Sequence, residues 1–314
     1  MSERGLLAVT GGSGFVGRQL IRQAVGAGFE VRALVRSQAS ALLAKSLGAQ
    51  PALLGDFEPA ALATALAGVS ALAHLAQIGA ERGDATYRAV NVEGTRAVVR
   101  AATEAGVGRI IFFSGLGVAR YGMSSRTTSP YFLSKLEAEV EIYRSDLPAV
   151  VFRPSYILGP GDGLVTGLLL DLATGAVEVP GDGTYRMQPI AVSDAAAAIL
   201  AAAPGGGLPS DRGRHQVFDL VGPEALSYRD FLGRFASAAR VAGRGAGFEI
   251  QPVALEEADR RARDGGFHGL LPEELDCMLC DQVADPAPLM VLLGRPLMGL
   301  DAALAVAIAG TGRV

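Results

Sequence analysis

The sequence predicts an α/β fold built on a doubly wound parallel sheet, with a smaller, mostly helical C-terminal lobe. Three observations lead to this prediction. Short apolar runs alternate with amphipathic helical patterns through the first half of the chain. A glycine-rich turn joins the first apolar run to the first helical pattern. The apolar runs are nearly continuous, as expected for parallel strands covered by helices on both faces.

The elements of the first half follow in a regular order, which implies right-handed crossovers between parallel strands. Strands are predicted at residues 6–9, 31–35, 52–54, 71–75, 110–113 and 150–152. Helices are predicted between them, at residues 15–27, 39–48, 59–66, 86–105 and 131–144.

The pattern changes after residue 155, where turns rich in glycine and proline interrupt it. A helix is predicted at 194–203 with Ser193 as its N-cap, a strand at 217–221, and a helix at 227–239 capped by Ser227. The rest of the chain is predicted to be mostly helical. We therefore expect a domain of residues 1–155 and a lobe of residues 156–314, interleaved so that some late elements return to the main sheet.

Composition excludes several classes of function. The 314 residues carry a net charge of −4 with no basic run, so nucleic acid is not an expected partner. The late apolar run at 302–310 is too short to span a membrane, and the first strand starts too early for a signal peptide. Two cysteines form no disulfide framework, so a reducing cytoplasm is expected. No metal site is predicted from the three histidines, and a homodimer stays an open possibility.

The glycine-rich turn has the pattern Gly-x-x-Gly-x-x-Gly directly after the first strand. Gly11 allows a sharp turn, Gly14 lets the backbone approach a phosphate, and Gly17 lets the helix pack closely on the sheet. A strand, a tight turn and a helix N-terminus form an anion site for a dinucleotide pyrophosphate, which predicts a Rossmann domain. The expected contacts are Gly11, Ser13, Gly14, Phe15, Val16 and Gly17.

The end of the second strand predicts which nicotinamide cofactor binds. An acidic residue there would hold the ribose hydroxyls of NAD, but Val35 occupies that place and Arg36 follows it. A guanidinium suits the 2′-phosphate of NADP, so NADP is predicted over NAD, although Arg36 could also be a solvated arginine. Arg32 could help, unless strand alternation points it away. Asp56 is a candidate for the adenine amine, with an ordinary turn aspartate as the alternative.

Two further segments point to the chemistry. The backbone of Leu75 and Ala76, at the end of the fourth strand, would pass the nicotinamide ribose. Tyr131 and Lys135 lie at i,i+4 spacing, which puts them on one face of a helix. A nearby ammonium would lower the pKa of the phenol from its free value near 10, so that it could act as an acid or base.

Together these motifs resemble the extended or atypical branch of the short-chain dehydrogenase/reductase superfamily, which includes epimerase- and dehydratase-like proteins. The resemblance covers about the first 200 residues and is fainter in the tail, at 271–281 and 293–295, which is similar to relatives of the NADPH-binding accessory subunit of complex I. The resemblance implies that Tyr131 exchanges a proton with substrate and that Lys135 supports it. It implies that Asn91 serves a water relay (packing on its helix is the alternative) and that Pro154 and Ser155 line the nicotinamide.

One position departs from the family pattern, since Leu116 stands where a serine or threonine is usual. Either Ser114 substitutes as a catalytic hydroxyl, or one of the hydroxyls at 127–129 does, or hydride transfer is impaired. An NADP-dependent oxidoreductase acting on a carbonyl/alcohol pair is therefore predicted. Epimerase or dehydratase action is the variant within the class, and a non-catalytic NADP(H)-binding sensor or assembly protein is the alternative.

The substrate is expected to be a small molecule that is not strongly anionic, because arginines in the second half are scattered. Cys277 and Cys280 are interpreted as structural, since neither a metal-site nor a redox context surrounds them. The residues predicted to line the pocket are Tyr156, Val165, Leu168, Met187 and Gln188.

Overall fold

The computed structural model describes residues 5–55, 58–208, 214–267 and 270–312. Within them, seven strands form one parallel sheet in the order β11-β6-β5-β4-β1-β2-β3. Its strands are β1 Leu6–Thr10, β2 Glu30–Val35, β3 Gln50–Leu53, β4 Val69–His74, β5 Ile110–Phe113, β6 Ala149–Pro154 and β11 His215–Leu220. The predicted doubly wound Rossmann fold is confirmed.

Three short strand pairs lie outside the main sheet. They are formed by β7 Ile157–Leu158 with β10 Ile190–Ala191, β8 Ala176–Pro180 with β13 Glu249–Val253, and β9 Arg186–Met187 with β12 Leu226–Ser227. The pairing of β7 with β10 fixes the chain just after β6, where the site lies.

Helices cover both faces of the sheet and build the C-terminal lobe. In the first half they are α1 Phe15–Gly26, α2 Gln38–Ser46, α3 Pro59–Leu66, α4 Gly94–Glu104 and α5 Pro130–Arg144. In the second half they are α6 Gly163–Thr174, α7 Val192–Ala202, α8 Tyr228–Val241, α9 Leu255–Arg263, α10 Pro272–Leu279, α11 Ala287–Leu293 and α12 Leu300–Gly310.

The core is divided by the sheet into two layers. On one face the sheet packs with α1 and α7, around Leu20, Ile21 and Ile199. On the other face it packs with α3, α4 and α5, around Leu62 and Ile142. Because apolar side chains leave the strands in both directions, neither face is solvated, as the nearly continuous apolar runs predicted.

Elements from late in the chain complete the main sheet. β11 pairs with β6 in parallel over its whole length, and α7 packs against α1. The expected boundary at residue 155 and the homodimer stay predictions. Among the described residues, no helix is long and apolar enough to cross a membrane.

Two local predictions are wrong. The helix predicted at 194–203 begins at Val192, and Ala191 is its N-cap, so Ser193 lies inside the helix and caps nothing. The helix predicted at 86–105 is divided into a π-helical turn at Arg88–Glu93 and the α-helix α4. Ser227 does cap α8, since its side chain accepts a hydrogen bond from the backbone N–H of Asp230.

The C-terminal lobe has two apolar clusters of its own. The larger lies between α6, α8 and α12, with Phe231 and Phe235 at its centre. The smaller joins α9 and α10 through Ala258, Phe267 and Leu275. Because α9 and α10 bury this small cluster between them, they form a unit of their own. We call it the covering unit, since it lies over the carboxyl edge of the main sheet.

Candidate active site

The glycine turn after β1 has the shape that a pyrophosphate requires. Gly11 has φ +69°, and a Cβ there would lie 2.8 Å from the backbone nitrogen of Ala76. A Cβ at Gly17 would lie 2.2 Å from the carbonyl oxygen of Gly11, and one at Gly14 would lie 3.2 Å from it. These contacts explain why the three positions carry no side chain.

The N-terminus of α1 is free to bind an anion. Within the described residues, no side chain caps it and its first turn carries no acidic residue. The first backbone N–H groups of a helix have no partner inside the helix, and the helix dipole favours negative charge there. Phe15 and Val16 lie in this first turn and Ser13 is exposed beside it. The turn and the helix therefore fit the pyrophosphate of a dinucleotide.

The end of β2 presents one arginine to solvent. Val35 is buried and Arg36 is exposed, immediately before the Ser37 N-cap of α2. Arg32 is directed elsewhere, because its guanidinium donates to the carbonyl oxygens of Ala65 and Ala67 at 2.7 and 3.1 Å. The suggestion that Arg32 assists is therefore wrong. Asp56 lies outside the described residues.

A buried hydrogen-bond chain fixes the end of β4. The Thr10 hydroxyl accepts the backbone N–H groups of Leu75 and Ala76 at 3.1 and 3.2 Å, and lies 2.7 Å from His74 Nδ1. His74 Nε2 lies 3.0 Å from the Thr95 hydroxyl, which donates to the Asn91 carbonyl. Because the Thr95 hydroxyl already donates its proton to the Asn91 carbonyl, it can only accept a hydrogen bond from His74. His74 therefore donates from Nε2 and accepts at Nδ1. Burial lowers the pKa of His74 to about 3, which keeps the ring neutral.

Asn91 lies inside the π-helical turn and is fully buried. Its side-chain oxygen accepts the N–H of Ile78, and its amide nitrogen donates to the Ile78 carbonyl and to the Ser134 hydroxyl. All of its side-chain donors and its acceptor are thus in use. The amide ties the segment after β4 to α5, which favours the packing interpretation over a relay through the side chain.

The segment after β5 lies beneath the cavity. Just before it, the carbonyl of Phe113, the last residue of β5, accepts hydrogen bonds from Gln77 Nε2 at 2.7 Å and from Lys135 Nζ at 3.0 Å. The Ser114 hydroxyl is buried and has no hydrogen-bond partner among the described residues. Leu116 is also buried, and its side chain lines the cavity. The part of the cavity wall that Leu116 covers therefore offers a substrate no hydroxyl group.

Tyr131 and Lys135 lie together on α5, which Ser129 caps and Pro130 begins. The Lys135 ammonium lies 5.8 Å from the centroid of the Tyr131 ring. Burial lowers the pKa of Lys135 to about 7, an effect that Glu139 opposes. Burial also raises the pKa of Tyr131 above its usual value of 10. The expected lowering of the Tyr131 pKa is wrong here, because the loss of hydration and the neighbouring Cys277 and Tyr87 all raise it.

A cavity of about 660 Å³ opens above Tyr131 and Leu116. Its floor comes from the ends of β5 and β6, including Pro154 and Ser155. Its opposite walls come from α6 and from the unit of α9 and α10. The side chains that line it are mainly apolar or aromatic: Leu116, Tyr131, Phe132, Tyr156, Leu164, Leu168, Leu170, Val177, Tyr228, Phe267, Leu270 and Met278.

Sequence reasoning found only part of this wall. Tyr156 and Leu168 line the cavity as predicted. Val165 and Met187 are instead buried in the core of the lobe. Gln188 is also wrong as a lining residue, since its amide donates to the Gly222 carbonyl and accepts the Ala284 N–H.

The contribution of α10 to the wall was missed. Leu168 was named correctly, but α6, the helix that carries it, was not predicted. Asp162 caps α6 three residues before Val165, a signal that could have indicated this helix. Cys280 is buried in a small apolar cluster, whereas Cys277 faces the cavity.

Comparison with known proteins agrees with this geometry. A family model described as NAD(P)H-binding matches residues 11–203. The chain belongs to this family. It is an NAD(P)H-binding protein with a Rossmann fold, among the extended short-chain dehydrogenase/reductases and their epimerase-like relatives.

Two curated relatives are reductases. A 4-hydroxy-2-methyl-3-oxo-4-farnesyl-3,4-dihydroquinoline-1-oxide ketoreductase from Stigmatella aurantiaca is 34% identical over 244 residues, which cover 71% of this chain and 70% of the relative. A 2-alkyl-3-oxoalkanoate reductase from Stenotrophomonas maltophilia is 32% identical, covering 61% of this chain and 63% of the relative. Among solved structures, MoeE5 with UDP-glucose and NAD superposes with a TM-score of 0.73 at 24% identity, covering 98% of each chain, which shows a shared fold.

Proposed function

We propose that this protein is an NADP(H)-dependent ketoreductase that acts on ketones with apolar substituents. The observation that carries the proposal is that Tyr131 lines a mainly apolar cavity of about 660 Å³, with the Lys135 ammonium 5.8 Å from the centroid of its ring. A cavity of this size and character suits a small-molecule substrate.

The cofactor would lie across the carboxyl edge of the sheet. Gly11, Ser13, Gly14, Phe15, Val16 and Gly17 would hold its pyrophosphate, and Leu75, Ala76, Asn91, Lys135, Pro154 and Ser155 would surround the nicotinamide half. The exposed guanidinium of Arg36 would pair with a 2′-phosphate, which supports NADP over NAD. The adenine contact of Asp56 remains a prediction.

The chain's own groups would perform the proton transfer. A bound reduced nicotinamide supplies a hydride to the carbonyl carbon. The Tyr131 hydroxyl would then give its proton to the carbonyl oxygen, so that the ketone becomes an alcohol. Because burial raises the pKa of Tyr131, the phenol is protonated at neutral pH, and it would need a nearby cation to release its proton to the carbonyl oxygen. Lys135 would stabilise the phenolate that remains.

The wall of the cavity supports an uncharged, apolar substrate. Among its described lining residues, Arg82 is the one cationic side chain, whereas Asp171, Glu178 and Glu274 are acidic. Glu178 is paired with Arg261, so a strongly anionic substrate would meet one cation, Arg82, and two further carboxylates among the described residues of this wall. The names of both reductases include a 3-oxo group beside a farnesyl or alkyl substituent, which agrees with a ketone on an apolar molecule.

The decisive experiment replaces the Tyr131 hydroxyl. We expect the wild type to oxidise NADPH in the presence of ethyl 3-oxooctanoate, and Tyr131→Phe to lower kcat by about 10²–10⁴-fold without changing NADPH affinity. Tyr121→Phe is the matched control, since Tyr121 packs in the same apolar cluster as Tyr131 but does not line the cavity. Equal turnover by the wild type and Tyr131→Phe would show that the proposed acid is wrong.

One observation favours a second function, a non-catalytic NADP(H) binder. Leu116 covers part of the cavity wall with an apolar side chain where a substrate hydroxyl partner is usual. NADPH binding without oxidation of any ketone in a series of 3-oxo esters would support this alternative.

A further inference from the structure

We propose that the Tyr156 hydroxyl is the second hydrogen-bond donor to the substrate carbonyl, opposite Tyr131. This inference rests on the proposed ketoreductase function and adds a catalytic residue to the same site. The starting point is chemical: a carbonyl oxygen has two lone pairs and gains negative charge as hydride arrives. Tyr131 can donate a hydrogen bond to one lone pair. A second donor on the cavity wall could bind the other lone pair and stabilise the developing charge further.

Most polar groups close to Tyr131 cannot fill this role. Leu116 is apolar, and Ser155 donates its hydroxyl to the Gln282 carbonyl at 3.0 Å. Thr127 and Thr128 donate to the carbonyl oxygens of Ser124 and Ser125. The buried Ser114 hydroxyl has no partner, but Ser114 does not line the cavity.

Tyr156 has the features that the role requires. Its side chain lines the cavity, and its hydroxyl makes no hydrogen bond to any described residue. Tyr131 and Tyr156 line the same cavity, as does Cys277. Tyr228 is a third phenol on its wall.

The backbone holds Tyr156 firmly. Its carbonyl accepts the Ile190 N–H at 2.8 Å, and β7 begins at the next residue and pairs with β10. Ser155, immediately before it, is anchored through Gln282. A donor fixed in this way loses little entropy when it meets the developing oxyanion.

The test uses two readouts, one of which does not depend on turnover. Octanamide is a carbonyl analogue that the enzyme would not reduce, and its binding to the NADPH-loaded protein is followed by calorimetry. We expect Tyr156→Phe to weaken octanamide binding by about tenfold and to lower kcat for ethyl 3-oxooctanoate by about 10²-fold. NADPH affinity should stay the same.

Four further variants complete the experiment. Tyr185→Phe is the matched control, because the Tyr185 hydroxyl is buried without a described partner but does not line this cavity. Leu116→Ser should restore much of the loss in Tyr156→Phe, since it places a hydroxyl on the wall next to Gly115, where a Cβ would lie 3.8 Å from the Tyr131 oxygen. Cys277→Ala and Gln282→Met remove the other neighbouring donors.

The outcomes separate the two proposals. Unchanged octanamide binding in Tyr156→Phe would overturn the role of Tyr156, and so would a loss seen instead in Cys277→Ala or Gln282→Met. A wild type that binds octanamide but reduces no ketone would overturn the ketoreductase proposal, while the binding data alone would still decide on Tyr156.

Discussion

At the residue scale, His74 makes stability depend on pH in a way that can be worked out. Its pKa is about 3 in the fold, whereas a free histidine has a pKa of 6.5. As pH falls through 6.5, the unfolded chain takes up a proton at this residue and the native protein does not. The contribution of His74 is therefore fully present above pH 6.5 and is lost progressively as pH falls towards 3.

We predict that the stability advantage of the wild type over His74→Gln shrinks with acid, by roughly 3 kcal/mol between pH 8 and pH 4.5. Urea unfolding of both proteins at the two pH values measures it. Because the same pair is compared twice, other titrating groups cancel. A stability difference that is equal at both pH values would show that His74 does not stay neutral in the fold.

At the element scale, one arginine joins the unit of α9 and α10 to the segment that precedes α5. Arg126 precedes α5, and its guanidinium contacts Asp259 of α9 at 2.8 and 2.9 Å and Asp276 of α10 at 2.8 Å. The three side chains are only a quarter exposed, so the contacts are less screened than surface ion pairs. The Arg126 ion pairs therefore help to hold Cys277 and Met278, on α10, over the cavity.

We predict that Arg126→Met weakens the attachment of α9 and α10 to the segment that precedes α5. Amide hydrogen exchange in α9 and α10 should become about tenfold faster, since two carboxylates lose their shared partner. The KM for ethyl 3-oxooctanoate should rise several-fold, with NADPH affinity unchanged. Arg260→Met is the control, because Arg260 lies on the exposed face of α9 and pairs with Glu257 in solvent. Similar exchange in both variants would contradict the prediction.

The sequence predicted the elements whose signals are local. The turn at Gly11 and the start of α5 at Pro130 each depend on a few adjacent residues, so pattern and capping rules suffice. The wall of the cavity depends instead on contacts between residues far apart in the chain. Nothing beside Cys277 in the sequence indicates that it faces Tyr131, and hydration lost on folding reversed the predicted direction of the Tyr131 pKa.

At the scale of the whole molecule, the site combines parts from most of the chain. The dinucleotide turn begins at Gly11, the proposed proton donor is Tyr131, and the covering helix α10 ends at Leu279. Because the first part belongs to the sheet and the last to a separate small core, cofactor and substrate would contact different layers. Cofactor binding can therefore be tested independently of substrate.

A cofactor that binds only the native protein raises its melting temperature in proportion to the logarithm of its affinity. We predict that NADPH stabilises the wild type more than an equal concentration of NADH does, by about 2–4 °C for each tenfold difference in affinity. Arg36→Glu should remove or reverse this preference, since it replaces the cation beside the 2′-phosphate with a carboxylate that suits the ribose hydroxyls of NADH. Arg22→Glu makes the same change of charge at an exposed position on α1 and should keep the preference. Equal stabilisation of the wild type by both cofactors, or a preference that survives in Arg36→Glu, would assign Arg36 to solvent and leave the choice of cofactor to other residues.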